Sequence, residues 1–136
     1  MNSKELVKNF YEEIVSKNLL EAVPQFVSKD CVLICGEESI PLGWEGMKKH
    51  LAAVRKTYPD YSMRVLRQYQ DGNTIISEFV MEGTHEGEWL GIKPTHKRLT
   101  FTGVDIDQVA DGKIVAHGGA VNTFETLYEH QMIKPV

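Results

Sequence analysis

Cysteine is scarce in this sequence, with two in 136 residues, and their placement excludes a disulfide between them. Cys31 and Cys35 bound a run, CVLIC, that reads as a β-strand, where four residues of rise set their Cα atoms roughly 13 Å apart. A disulfide needs about 7 Å or less. With no CxxC spacing and no clustered histidines they also make a poor zinc site, so both are expected as reduced core thiols. Long apolar runs are missing, which excludes a helical membrane span. The start, MNSKELVKNF, is charged from Lys4 onward and has no uninterrupted apolar stretch of the signal-peptide kind, so a cytoplasmic location is expected by default. Positive charge is not in excess: 15 Lys and Arg stand against 19 Asp and Glu, a formal net charge of −4. The basic residues are dispersed, which argues against nucleic acid or a membrane surface as the main partner. No repeat, linker or low-complexity tract is present. What remains, 42% hydrophobic and 25% charged, is the composition of one domain spanning residues 1–136 with a single core.

Ser3 is placed to cap a helix over residues 4–17, in which Leu6, Val7, Phe10 and Ile14 recur at helical spacing. A short second helix is expected around Leu19 to Val27. After the Cys31 strand, Met47, Leu51, Val54 and Tyr58 form the apolar stripe of a further helix, which Pro59 ends. The period then changes to two. Met63 and Val65, and then Ile75, Phe79 and Met81, form a hairpin about the Asp71-Gly72-Asn73 turn. A longer connection with Gly87, Gly91 and Pro94 leads to Leu99, Phe101, Val104, Ile106 and Val109, and Asp111-Gly112 turns the chain into Ile114 and Val115. Asn122 and Thr123 precede a C-terminal helix carrying Phe124, Leu127 and Tyr128, expected to end near Pro135. Helices in front and antiparallel strands behind predict an α+β domain, a curved antiparallel sheet covered on one face by the N-terminal helices. A cavity between those layers is the default ligand site.

Four motifs occur in order: Tyr58-Pro59-Asp60, then Gly83-Thr84-His85-Glu86-Gly87, then Leu90-Gly91-Ile92-Lys93-Pro94-Thr95, then Asp111-Gly112-Lys113-Ile114-Val115. Together they resemble the SnoaL-like polyketide cyclases over nearly the whole chain. The resemblance implies the cone-shaped α+β barrel of the nuclear transport factor two-like superfamily. It also implies intramolecular aldol chemistry without a cofactor, driven by an Asp after the last strand. That family's last strand continues from the Asp-Gly-Lys-Ile turn into a His-Trp pair and then the Asp. Here the run is His117-Gly118-Gly119-Ala120-Val121-Asn122, so Gly118 stands at the Trp and Asn122 at the Asp. A second polar position on the preceding strand is Gln108. An amide cannot exchange a proton as a carboxylate does, and the expected acid/base pair is replaced by two amides.

On a regular strand Ile114, Gly118 and Asn122 share a face, which puts Asn122 and Gly118 in the pocket and His117 on the opposite face, at an interface or in solvent. Gly118 then widens the cavity, unless Gly118-Gly119 forms a bulge. Asn122 alternatively caps the last helix. His85 shares a face with Phe79 and Met81 and is the candidate pocket histidine; its simpler role is to tie the loop to the sheet. Trp44 and Trp89 border the cavity mouth in the implied fold and, with Phe79 and Met81, are candidate substrate contacts. Tyr11 and Tyr69 carry no separate signal. The five histidines form neither HxH nor HExxH, and no metal site is expected.

The expected function is a small-molecule pocket for an apolar or polyketide-like carbonyl compound, cyclising or isomerising it through His85 without a cofactor. The alternative is a non-catalytic ligand-binding or dimerisation module, favoured by Asn122, Gln108 and Gly118. A homodimer is expected through the outer sheet face, where Ile76 and Val80 lie opposite Phe79 and Met81.

Overall fold

The chain opens on a reciprocal hydrogen-bond pair that fixes where its first helix begins. In the computed structural model, which describes residues 1–134 and 136, Asn2 rather than Ser3 is the cap of α1 (Ser3–Asn9). Its side chain accepts from the Glu5 N–H at 2.9 Å, and the Glu5 carboxylate accepts from the Asn2 N–H at 3.3 Å, satisfying two amides that the helix itself cannot use. The helix continues as a π-helical turn over Phe10–Val15, in which Phe10, Tyr11, Ile14 and Val15 are buried. The segment after it divides into a 3-10 turn, Leu20–Ala22, and the one-turn α2, Val23–Phe26.

Six strands follow in one sheet: β1 (Val27–Cys35), β2 (Glu38–Pro41), β3 (Ser62–Asp71), β4 (Thr74–Thr84), β5 (Arg98–Ala110) and β6 (Lys113–Val121), with α3 (Gly43–Thr57) between β2 and β3. Their spatial order is β2-β1-β6-β5-β4-β3. The two expected hairpins are β3–β4 and β5–β6. The sheet is mixed rather than wholly antiparallel, because β1 runs parallel to β6; these strands share no hairpin, and residue periodicity carries no information on direction. It does not close into a barrel. Short β2, which is exposed throughout, had no periodic signal. Cys31 is buried as expected, but Cys35 is exposed, because β1 outruns its helical cover before the turn at Gly36.

The core fills the concave side, where Val7, Phe10, Met47, Ile75, Leu99, Phe101 and Ile114 are almost wholly buried. Along β5 the alternation is strict: Leu99, Phe101, Gly103, Asp105, Asp107 and Val109 face inward, and Val104, Ile106 and Gln108 face outward. The partner strand changes phase. Gln108 pairs with Ala116 but Val109 pairs with Ile114, so Val115 is an extra residue, a bulge that reverses every later side chain of β6. His117, Gly119 and Val121 therefore face inward opposite Asp107, Asp105 and Gly103. Gly118 faces outward between Ile34 and Ile106. The final helix, α4 (Thr123–Glu129), begins after Asn122, and Pro135 lies outside the described residues. Among the described residues no helix is long and apolar enough to cross a membrane.

Candidate active site

Two carboxylates at alternate positions on the inner face of β5 create the site. A half-open apolar sheet face tolerates buried carboxylates only if partners satisfy them. Asp107 is fully buried and has two: the Tyr11 hydroxyl donates to its Oδ2, and His117 Nδ1 lies 2.7 Å from its Oδ1. Tyr11 comes from the π-helical turn and His117 from β6, so three separate elements converge. With Nδ1–H donating to Asp107, the ring is held in one orientation and its Nε2 has no partner among the described residues. The Tyr11 hydroxyl is also 3.3 Å from His117 Nδ1.

The electrostatics follow from this crowding. Burial, and then the charges of Asp107 and Asp105, hold the Tyr11 hydroxyl well above its ordinary pKa, so it stays a donor. Burial pushes Asp105 up to about 7; Asp107 adds to that rise, and His117 and Tyr11 oppose it. For His117 burial disfavours the charged ring, yet the Asp107 hydrogen bond and both carboxylate charges outweigh it, and its pKa is raised. The Cys31 thiol is pushed up to about 11, by burial and then by Asp107. The site thus has a carboxyl that changes charge near neutrality beside an imidazole whose charged form the two carboxylates favour.

A cavity of about 320 Å³ lies between α3 and the sheet, and Tyr11, Asp105, Asp107 and His117 are not among the residues that line it. α3 lines it with His50, Val54 and Thr57, with Tyr58 at the helix end; Met81, Trp89 and Phe101 form the facing wall, and Val121 the side nearest the carboxylates. Val121 is the next inward position after Gly119, which sits directly across from Asp105. His50 links the two regions: it lines the cavity, and its pKa is lowered by burial and then by the charge of His117.

Of the candidates read from the sequence, Met81 and Trp89 line this cavity. His85 does not reach it: the ring is completely buried behind Tyr58 and Trp89, with Nδ1 on Thr95. Phe79 is a core residue packed against Gly103. Trp44 donates from Nε1 to the Val27 carbonyl at 2.6 Å, which pins α3 to β1. Two expectations about facing are corrected. Gln108 is on the outer face because β5 alternates with Asp107 inward. Gly118 is on the outer face because of the Val115 bulge, and a Cβ there would come within 2.9 Å of the Ile34 carbonyl. Asn122 is exposed at the start of α4, donates to Glu125 at 3.1 Å, and makes no side-chain cap. The bulge also corrects His117, which is 13% exposed and inside rather than at the surface. Asp105 and Asp107 were missed although counting by two from Leu99 and Phe101 reaches both. Among the described residues no group of three or more His, Cys, Asp or Glu could hold a metal ion.

The sequence profile of the SnoaL-like polyketide cyclases matches residues 5–129. The chain belongs to that family. Among solved structures, a provisionally assigned polyketide cyclase from Acidithiobacillus ferrooxidans superposes with a TM-score of 0.85 at 17% identity, covering 97% of this chain and 96% of its own. IdmH of Streptomyces antibioticus, also a provisional polyketide cyclase, gives 0.80 at 22% identity over 98% and 100%. AclR of Streptomyces galilaeus, a provisional hydroxylase, gives 0.83 at 22% identity over 98% and 83%. At such identities the likeness is one of fold, and a SnoaL-like fold carries more than one chemistry. No curated protein matches the sequence.

Proposed function

We propose that this SnoaL-like protein is a cofactor-independent acid/base enzyme that cyclises or isomerises a small, mostly apolar, polyketide-like carbonyl compound. The observation that carries the proposal is the buried Tyr11–Asp107–His117 array with His117 Nε2 free and Asp105 beside it. A carboxyl raised to about 7 is a stronger base than an ordinary one and is still partly ionised at neutral pH. Asp105 takes the proton α to a carbonyl while His117 Nε2–H donates to the carbonyl oxygen as charge develops there. In an aldol closure the resulting carbanion-equivalent carbon bonds to a second carbonyl carbon, whose oxygen receives the His117 proton. Water then returns the proton from Asp105 to His117, and the product is an isomer of the substrate. Asp107 acts through His117 by orienting the ring and stabilising its positive form, and Tyr11 holds Asp107. The non-catalytic alternative rested on Asn122, Gln108 and Gly118; Gln108 and Gly118 face the outer side of the sheet, and Asn122 is an exposed residue between Val121 and Thr123, which both line the cavity.

Exchange of the α-protons of 2-tetralone with deuterated water, followed by NMR, tests this. Wild-type protein should exceed buffer by about 10²-fold or more, the usual size of an acid/base contribution, and Asp105→Asn and His117→Gln should each abolish most of that gain. Exchange that is undiminished in Asp105→Asn would refute the assignment.

We also propose that the protein is a homodimer through the outer sheet face. Ile34, Ile106, Ile76 and Tyr69 form one row across four strands there, with Gly118 between the first two. Ile34, Ile106 and Tyr69 are 42%, 48% and 51% exposed, which makes a contiguous apolar strip.

A further inference from the structure

Behind the cavity wall formed by Tyr58 and Trp89 lie two polar atoms that have no hydrogen-bond partner among the described residues. The Tyr58 hydroxyl and His85 Nε2 are both buried, in residues 4% and 0% exposed, and neither has a hydrogen-bond partner among the described residues. A buried polar atom left unpaired is costly, so two such atoms on neighbouring rings point to a ligand. The rings are neighbours, with centroids 6.2 Å apart, and Trp89 packs edge-on against both. Tyr58 and Trp89 line the cavity wall.

The hydrogen bonds around His85 determine what its free nitrogen offers. The Lys97 N–H donates to Thr95 Oγ1 at 3.4 Å, Thr95 Oγ1 lies 3.0 Å from His85 Nδ1, and the Thr95 N–H donates to that same nitrogen at 3.3 Å. With its lone pair accepting the Thr95 N–H, Nδ1 carries no hydrogen, and the ring hydrogen is on Nε2. The pair is therefore an Nε2–H donor beside a phenolic O–H, and what it lacks is an acceptor.

We propose that Tyr58 and His85 form an acceptor-recognition site for a second oxygen of the substrate, a ketone or ester carbonyl remote from the reacting one. The proposal deepens the reading of the cavity as a carbonyl-compound pocket and does not depend on the proton transfer at Asp105. His50, which feels the charge of His117, and Tyr58 are eight residues apart along and just past α3, about 12 Å at the helical rise. The substrate class is accordingly an elongated apolar molecule with carbonyl oxygens toward its two ends, one of which meets the buried Tyr58 hydroxyl and His85 Nε2 once Trp89 gives way. In this role both are specificity-determining residues.

The test compares 2-acetylnaphthalene with 2-isopropenylnaphthalene, near-isosteres that differ in a carbonyl oxygen against a methylene, binding to the full-length wild-type protein and to Tyr58→Phe. The expected result is that Tyr58→Phe weakens the ketone five- to tenfold, leaves the alkene within twofold, and does not lower the thermal midpoint. A His85 ¹⁵Nε2 resonance that moves with the ketone and not with the alkene is expected in the wild type. If both probes weaken equally, if the ketone-to-alkene ratio is unchanged in Tyr58→Phe, or if the wild type binds neither, the proposal is overturned. The deuterium-exchange assay uses no Tyr58 variant, so exchange lost with selectivity retained would sink only the proton-transfer assignment.

Discussion

A single missing side chain makes room for the base. Gly119 has φ +151°, and a Cβ there would collide with Asp105 Oδ1 and the Val104 carbonyl. Gly119→Ala should therefore destabilise the fold by about 2 kcal/mol or more through combined backbone strain and overpacking, and should reduce exchange activity in whatever protein folds; urea titration and the tetralone assay measure the two losses. Tyr11→Phe should cost on the order of 1–3 kcal/mol, since it removes a donor from a fully buried carboxylate. Much of this site was open to inspection in the sequence. Asp105-Ile106-Asp107, in phase with Leu99 and Phe101, places two carboxylates inward by alternation alone. What pattern could not supply was the partner of each. Tyr11 lies 96 residues from Asp107 in sequence, and the bulge at Val115 moves His117 from the outer face to the inner one while removing Gly118 and Asn122 from it. A one-residue slip has that effect on every side chain beyond it.

Between elements, Arg55 does the joining. Its guanidinium donates to the Pro59 and Tyr61 carbonyls at 3.1 and 3.0 Å and to the Val15 and Ser16 carbonyls at 2.8 and 3.0 Å. It also lies over the Tyr61 ring at 5.6 Å. Those carbonyls belong to the end of the π-helical turn and to the connection from α3 to β3, groups that helix ends leave unsatisfied. A lysine cannot serve four acceptors in a planar fork, so Arg55→Lys should lower stability by about 1–3 kcal/mol, measured by urea unfolding. The same element junctions mark where the fold exceeded what periodicity reveals. The long helices, both hairpins and the turn residues between them were legible because burial on one face imposes a period. The π-helical turn, the exposed β2 and the parallel pairing of β1 with β6 were not, since each is decided by contacts between segments rather than by a repeat within one.

At the scale of the whole molecule, two consequences can be measured. The apolar row on the outer sheet face predicts a dimer in light scattering at tens of micromolar, and Ile106→Glu, which puts a charge at its centre, should return the monomer mass. Stability against pH is the second. Folded Asp105 holds its proton to about pH 7, whereas an unfolded carboxyl releases its own near pH 4. Between those values the folded state binds more protons, so stability falls as pH rises. His117 has the same sign: its folded pKa is raised, and the stability it contributes is full below the unfolded value near 6.5 and is lost as pH climbs through the folded one. Asp60 acts oppositely. Its pKa is lowered, chiefly by the Thr84 N–H and hydroxyl and further by Arg98, so its contribution is present above about pH 4 and fades in acid. His50 also opposes Asp105: its pKa is lowered by burial and by His117, so its contribution is present above about pH 6.5 and fades below it. With Asp105 and His117 together outweighing it, stability should fall from about pH 5 toward pH 8. Asp105→Asn should flatten the slope between pH 4 and 7 and leave the variant more stable than wild type at pH 8 by up to about 4 kcal/mol, a rise of about three pKa units at about 1.4 kcal/mol each. Urea midpoints taken from pH 4 to 9 for both proteins would decide it, and a difference in stability between wild type and Asp105→Asn that stayed constant between pH 4 and 8 would mean that the folded Asp105 carboxyl is not raised and cannot be the base that changes charge near neutrality.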